Sequence, residues 1–129
     1  MANEKIAIID DDQDIRDSVQ IILESQGYTV IGAENKTDGL ALIKQEKPDL
    51  AILDVMMESF SDGFDLAREL KADADLKSIP ILMMTGAQEK TGIDFKDNAG
   101  DPTWLPVDGF LDKPVDPNTL IEEVKKLLA

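Results

Sequence analysis

Apolar residues fall along this chain in short blocks, and the length of each block limits what it can become. Residues 5–9 and 50–53 are brief apolar runs, the second opened by Pro48, and each is followed at once by carboxylates. Asp10, Asp11 and Asp12 follow the first run, and Asp54 follows the second. Runs that short read as strands buried on both faces rather than as helices. Residues 28–33 and 81–84 have the same character, the latter opened by Pro80 and ending at Thr85 and Gly86. A shorter run at 109–112 leads into Lys113 and Pro114.

Between these runs the spacing becomes helical. Ile15, Val19, Ile22 and Leu23 recur as one helical stripe, with Asp12 as its expected cap and Gly27 as its left-handed stop. Thr37 is the expected cap of a second helix, carrying Leu40 to Ile43 and closed by Pro48. A third is expected over residues 63–74. The last is marked by Asp116 as cap and Pro117 in the first turn, then Leu120, Ile121, Val124, Leu127 and Leu128. Residues 87–108 are broken by Gly92, Gly100, Pro102 and Pro106 and leave room for one short helix. Strand and helix thus alternate five times, without repeat or linker. Alternation of this kind predicts a parallel sheet covered on both faces, and right-handed crossovers make it a doubly wound, three-layer α/β fold. The expected unit is one domain over residues 1–129.

Composition narrows the chemistry. The 129 residues contain no cysteine and no histidine, which excludes disulfides, Ser-His pairs, histidine zinc sites and a phosphohistidine carrier. No run reaches membrane-spanning length and the N-terminus lacks a signal-peptide shape, so a cytoplasmic protein without membrane insertion is expected. The 27 acids against 13 bases give a formal charge of −14. That surface repels phosphate backbones, so direct nucleic-acid binding is not expected. Most of the acids are simply solvated surface.

Four points of the sequence meet where strand ends converge in such a fold: Asp10 with Asp11, Asp54, Thr85 and Lys113. Carboxylates brought together repel by about 4 kcal/mol per close pair at an effective dielectric near 20. A hard divalent cation relieves that repulsion, and an all-oxygen site with few protein ligands suits Mg²⁺. A carboxylate beside Mg²⁺, a lysine and a hydroxyl can act as a nucleophile towards phosphorus.

The pieces IAIIDDD, LAILDVMM, DGFDLAREL, IPILMMTG and GFLDKPVDP, in this order, resemble the receiver domains of two-component response regulators. The resemblance covers nearly the whole chain and is that of a stand-alone, single-domain receiver. It implies a five-stranded, flavodoxin-like sheet in order 2-1-3-4-5, in which this chain's own residues 87–108 leave an irregular or shortened fourth helix. It implies that Asp54 accepts phosphate from a histidine kinase or phosphotransfer protein. By the same carry-over Asp11 binds Mg²⁺ directly, Asp10 assists through water, and Met56 lends its backbone carbonyl. Thr85 matches the switch hydroxyl, Lys113 the phosphate-pairing lysine and Phe110 the switch aromatic. A cis peptide between Lys113 and Pro114 is implied too. So are control of a downstream protein of unknown identity and a monomer or weak dimer, with no small-molecule turnover.

The chain departs from the family in two places. Glu58 and Ser59 stand where a proline is frequent, in a loop one residue longer before Asp62 and Gly63. Residues 87–108 are long and poor in helix formers; Trp104 and Leu105 are expected to pack over the sheet edge that a shortened helix leaves bare. Met56 and Ala87 occupy the positions that tune attack by water, and neither side chain orients one, so a long-lived phosphoryl group is expected. Other classes fit the same residues less well, among them a degenerate receiver used only for binding, which the intact set of acids, hydroxyl and lysine disfavours. An aspartate-nucleophile phosphatase needs D-x-D after the first strand, which Asp10 and Asp12 satisfy only formally. A nucleotide-binding domain needs phosphate-cradling glycines where three acids stand.

Overall fold

The computed structural model describes residues 4–54, 62–85, 108–112 and 116–128. Among them are five strands, β1 (Lys5–Ile9), β2 (Thr29–Ala33), β3 (Leu50–Asp54), β4 (Ile81–Thr85) and β5 (Gly109–Asp112). The helices among them are α1 (Gln13–Glu24), α2 (Lys36–Glu46), α3 (Asp62–Ala72) and α4 (Pro117–Leu128). The strands form one sheet in the order β2-β1-β3-β4-β5, every neighbouring pair parallel. That is the expected doubly wound, flavodoxin-like topology. The segment expected to hold the irregular helix, and Trp104 and Leu105 within it, lie outside the described residues.

Alternation along the strands divides the core in two. Ala7, Ile9, Ala51, Leu53, Ile81 and Met83 face α2 and α3, meeting Ile43, Leu66 and Leu70. Ile6, Ile8, Leu50, Ile52, Leu82 and Met84 face α1 and α4, meeting Val19, Leu23, Leu120 and Val124. Successive side chains of a strand point to opposite faces, so a strand covered on both sides must be apolar at every position. That is why β1 and β3 appear in the sequence as unbroken apolar runs.

Local chemistry sets the helix ends. Asp12 caps α1, its side chain accepting from the Asp14 and Ile15 amides. Gly27 adopts φ 91°, and its N–H donates to the Glu24 carbonyl at 3.0 Å, closing the end of α1 where expected. The second helix differs from expectation. Its cap is Asn35, whose side chain accepts from the Asp38 amide, and Thr37 lies inside the first turn. Both are capping types, and the extended backbone of Asn35 decides between them. Lys47 ends α2 in the left-handed conformation at φ 46°, directly before Pro48. The residue before a proline is barred from the right-handed helix, so the helix cannot continue. The third helix ends at Ala72, two residues short of the predicted span.

At the amino-terminal end of the sheet, Lys71 joins three elements. Its ammonium donates to the Lys77 and Ile79 carbonyls and to Asp108 Oδ2, each at 3.2 Å. The same Asp108 oxygen accepts the Ile81 amide at 2.8 Å. The end of α3 is thereby tied to the starts of β4 and β5. The opposite end of the sheet is left for function.

Candidate functional site: an acidic cluster at the strand ends

Strand β1 ends at Ile9, and β1 lies beside β3 with Ile9 opposite Leu53. Continuing that register puts Asp10 level with Asp54 at the carboxyl end of adjacent strands. Asp54 also pairs with Met84 of β4, and Thr85 pairs with Asp112 of β5. Three neighbouring strands therefore end together around one hollow.

Asp10 is fully buried and Asp54 is 2% exposed, the two buried charged residues of the described core. One carboxylate oxygen each from Asp10, Asp11 and Asp54 lies within 4.8 Å of the others, Asp11 approaching from the solvent side. At that separation each ionised pair repels by roughly 3–4 kcal/mol at an effective dielectric near 20. The donor set is all oxygen, anionic and only partly open to water. It fits a hard divalent cation and not a soft or nitrogen-seeking one.

The turn carrying the first two acids is tightly held. The Asp10 amide donates to the Ala33 carbonyl at 3.1 Å, extending the β1–β2 ladder by one bond. Asp10 Oδ1 accepts the Asp12 amide at 2.9 Å, and Asp12 in turn caps α1. Arg16 of α1 donates from Nη1 to the Asp10 carbonyl at 2.7 Å.

Of the residues singled out in the sequence, Asp10, Asp11 and Asp54 are brought together. Asp12 is a helix cap. The backbone of Thr85 is at the end of β4, one residue beyond the partner of Asp54. Phe110 is half-buried on β5, opposite Met83, and packs against the core cluster on the α2–α3 side. Met56, Ala87, Glu58, Ser59, Lys113 and the Lys113–Pro114 peptide lie outside the described residues. Sequence reasoning missed Arg16, because its partner is a main-chain oxygen that leaves no mark on residue types.

The response regulator receiver domain, as a sequence family, matches residues 6–125. The chain belongs to the response regulator receiver family. PilH of Pseudomonas aeruginosa is 35% identical over 128 residues, covering 97% of this chain and 98% of PilH. The phosphate regulon transcriptional regulatory protein PhoB of the same organism is 36% identical, covering 99% of this chain but only 53% of PhoB. Among solved structures, the chemotaxis response regulator CheY4 of Vibrio cholerae superposes with a TM-score of 0.84 at 28% identity, covering 98% of this receiver and all (100%) of CheY4. The receiver is thus similar over its length both to stand-alone proteins and to about half the length of larger regulators. Receivers are phosphorylation-controlled signalling switches, not enzymes that turn over a small molecule. No helix among the described residues is long and apolar enough to cross a membrane.

Proposed function

We propose that Asp54 is the phosphoacceptor of this receiver and that it holds Mg²⁺ together with Asp10 and Asp11, with the Met56 carbonyl completing the protein's ligands. The observation that carries this reading is the meeting of three carboxylates from two strands within 4.8 Å, two of them buried. Asp11, the exposed member, would bind the metal directly, and Asp10, held by the Asp12 amide, would act on it through water. Bound Mg²⁺ supplies positive charge to the phosphoryl oxygens, which is most of the chemistry such transfer needs.

The chain's own part is positioning. An Asp54 carboxylate oxygen attacks phosphorus in a phosphohistidine of a kinase or phosphotransfer protein. The new P–O bond forms as the P–N bond breaks, and the bonding pair leaves with the imidazole nitrogen. Lys113 pairs with the transferred group and Thr85 donates to one of its oxygens. Movement of Thr85 and Phe110 then alters the surface that a downstream protein reads. Transfer and later hydrolysis at Asp54 are promoted by the domain itself. The family match over residues 6–125 supports one receiver domain across residues 1–129. We further propose that it works in the cytoplasm as a monomer or weak dimer, without touching nucleic acid, since the −14 charge opposes a phosphate backbone.

Intact-mass measurement after incubation with Mg²⁺ and acetyl phosphate tests the reading. Wild type gains one phosphoryl group, and Asp54→Asn gains none. Equal labelling of both proteins refutes it.

A further inference from the structure

The turn that delivers Asp10 and Asp11 is gripped from the helix side by a residue with no role in the chemistry above. Arg16 is half-buried, and its guanidinium donates to the Asp10 carbonyl at 2.7 Å. It is the only basic residue between Lys5 and Lys36, a stretch holding seven acids: Asp10, Asp11, Asp12, Asp14, Asp17, Glu24 and Glu34. Yet among the described residues its guanidinium forms no ion pair. Nor is it confined there by packing. A cavity of about 360 Å³ lies beside it, and Glu34 and Asp38 form part of its wall. An arginine with carboxylates and open space at hand is instead fixed to a main-chain oxygen.

That oxygen belongs to the peptide unit joining Asp10 to Asp11. The other bonds of the turn lie on either side of that peptide: the Asp10 amide donates to Ala33, and the Asp12 amide donates to the Asp10 side chain. The Arg16 bond acts directly on the peptide from which Asp11 departs. A charge-assisted bond to a carbonyl is about twice as strong as a neutral one, so it can hold that peptide against the repulsion among the acids. The arginine stem passes beside Gly32 at ordinary van der Waals distance. A Cβ there would stand 3.6 Å from Arg16 Cδ and 3.3 Å from the Ile8 carbonyl oxygen.

We propose that Arg16 is a positioning residue for the carboxylate cluster: by fixing the Asp10–Asp11 peptide it aims the Asp11 carboxylate at the point where the Asp10 and Asp54 oxygens meet. The inference rests on the Mg²⁺ reading given above, and its test separates the two.

Mg²⁺ affinity is measured by calorimetry at 25 °C, and the Asp11 amide resonance by NMR in metal-free protein, for wild type, Arg16→Gln and Arg16→Lys. The expected result is a loss of about tenfold or more in Mg²⁺ affinity for Arg16→Gln, the size found when a group orienting a metal ligand is removed. The Asp11 amide shifts in the same variant without metal, and Arg16→Lys falls between. Affinity within twofold of wild type overturns the proposal, whatever happens to the melting temperature. So does weakened affinity with an unmoved Asp11 amide, because that assigns the effect to charge alone. If wild type itself binds no Mg²⁺, the metal reading fails, and the Asp11 shift alone decides whether Arg16 sets the peptide. Should Arg16→Gln not fold, Arg16→Lys is judged by the same two measurements.

Discussion

Asp11 and Asp12 are adjacent acids whose surroundings give them different work. The Asp12 side chain accepts the Asp14 amide at 2.9 Å and the Ile15 amide at 3.4 Å, whereas the Asp11 carboxylate joins the buried pair of Asp10 and Asp54. Asp12→Ala should therefore cost about 1 kcal/mol of stability, the usual loss for a helix cap, and leave Mg²⁺ affinity within a few-fold. Asp11→Asn should do the reverse: near-normal unfolding without metal, but little of the rise in melting temperature that Mg²⁺ gives wild type. Chemical and thermal unfolding with and without Mg²⁺ check both. The three site acids were legible in the sequence because a carboxylate directly after a doubly buried strand is costly unless it is used. Asn35 and Thr37 were not separable in advance, since both residue types cap helices and only the backbone at Asn35 distinguishes them. Arg16 was not legible at all, for its acceptor is the peptide itself.

Packing between elements links the core to the site. Gly39 of α2 is buried against Ile9, the last residue of β1 before Asp10. A Cβ at Gly39 would stand 2.7 Å from Ile9 Cγ2 and 3.2 Å from Cγ1 and Cδ1. Helix propensity alone favours Gly39→Ala by about 1 kcal/mol. The overlap wins, because Cγ2 sits on the branched carbon and cannot swing clear. The substitution should destabilise by about 1–3 kcal/mol in denaturant titration and weaken Mg²⁺ binding through the displaced end of β1. At the other face, Asp116 caps α4, accepting the Thr119 amide at 2.9 Å and its hydroxyl at 3.0 Å. Those bonds, the amide first, hold the Asp116 carboxyl below its ordinary 3.8. Its contribution is thus present above 3.8 and fades as pH falls through the lowered folded value. The melting-temperature gap between wild type and Asp116→Ala should be constant near neutrality and narrow only in that acid range. Strands were more legible than helix ends for a physical reason. Burial on both faces forces an unbroken apolar run, while a helix end is settled by one cap among several able residues.

Across the whole molecule, a charge of −14 works against compactness, and the carboxylate cluster concentrates part of that repulsion in one hollow. Screening shortens the reach of exposed charges to about 10 Å at 0.1 M salt, so NaCl should raise the melting temperature modestly. MgCl₂ at matched ionic strength should raise it further, since a ligand at 100 times its Kd stabilises by about 2.7 kcal/mol. In Asp54→Asn the two salts should act nearly alike. The fold and the order of its strands followed from alternation and family resemblance together, and the site followed from where that order ends the strands. What remains to be located chemically is the phosphoryl group. Borohydride reduction of the Mg²⁺- and acetyl phosphate-treated protein converts an aspartyl phosphate to homoserine, and peptide mass spectrometry reads its position. Homoserine at residue 54 alone is the predicted result. Homoserine at residue 10, 11 or 12, or at no position in protein that has gained phosphate, would contradict it.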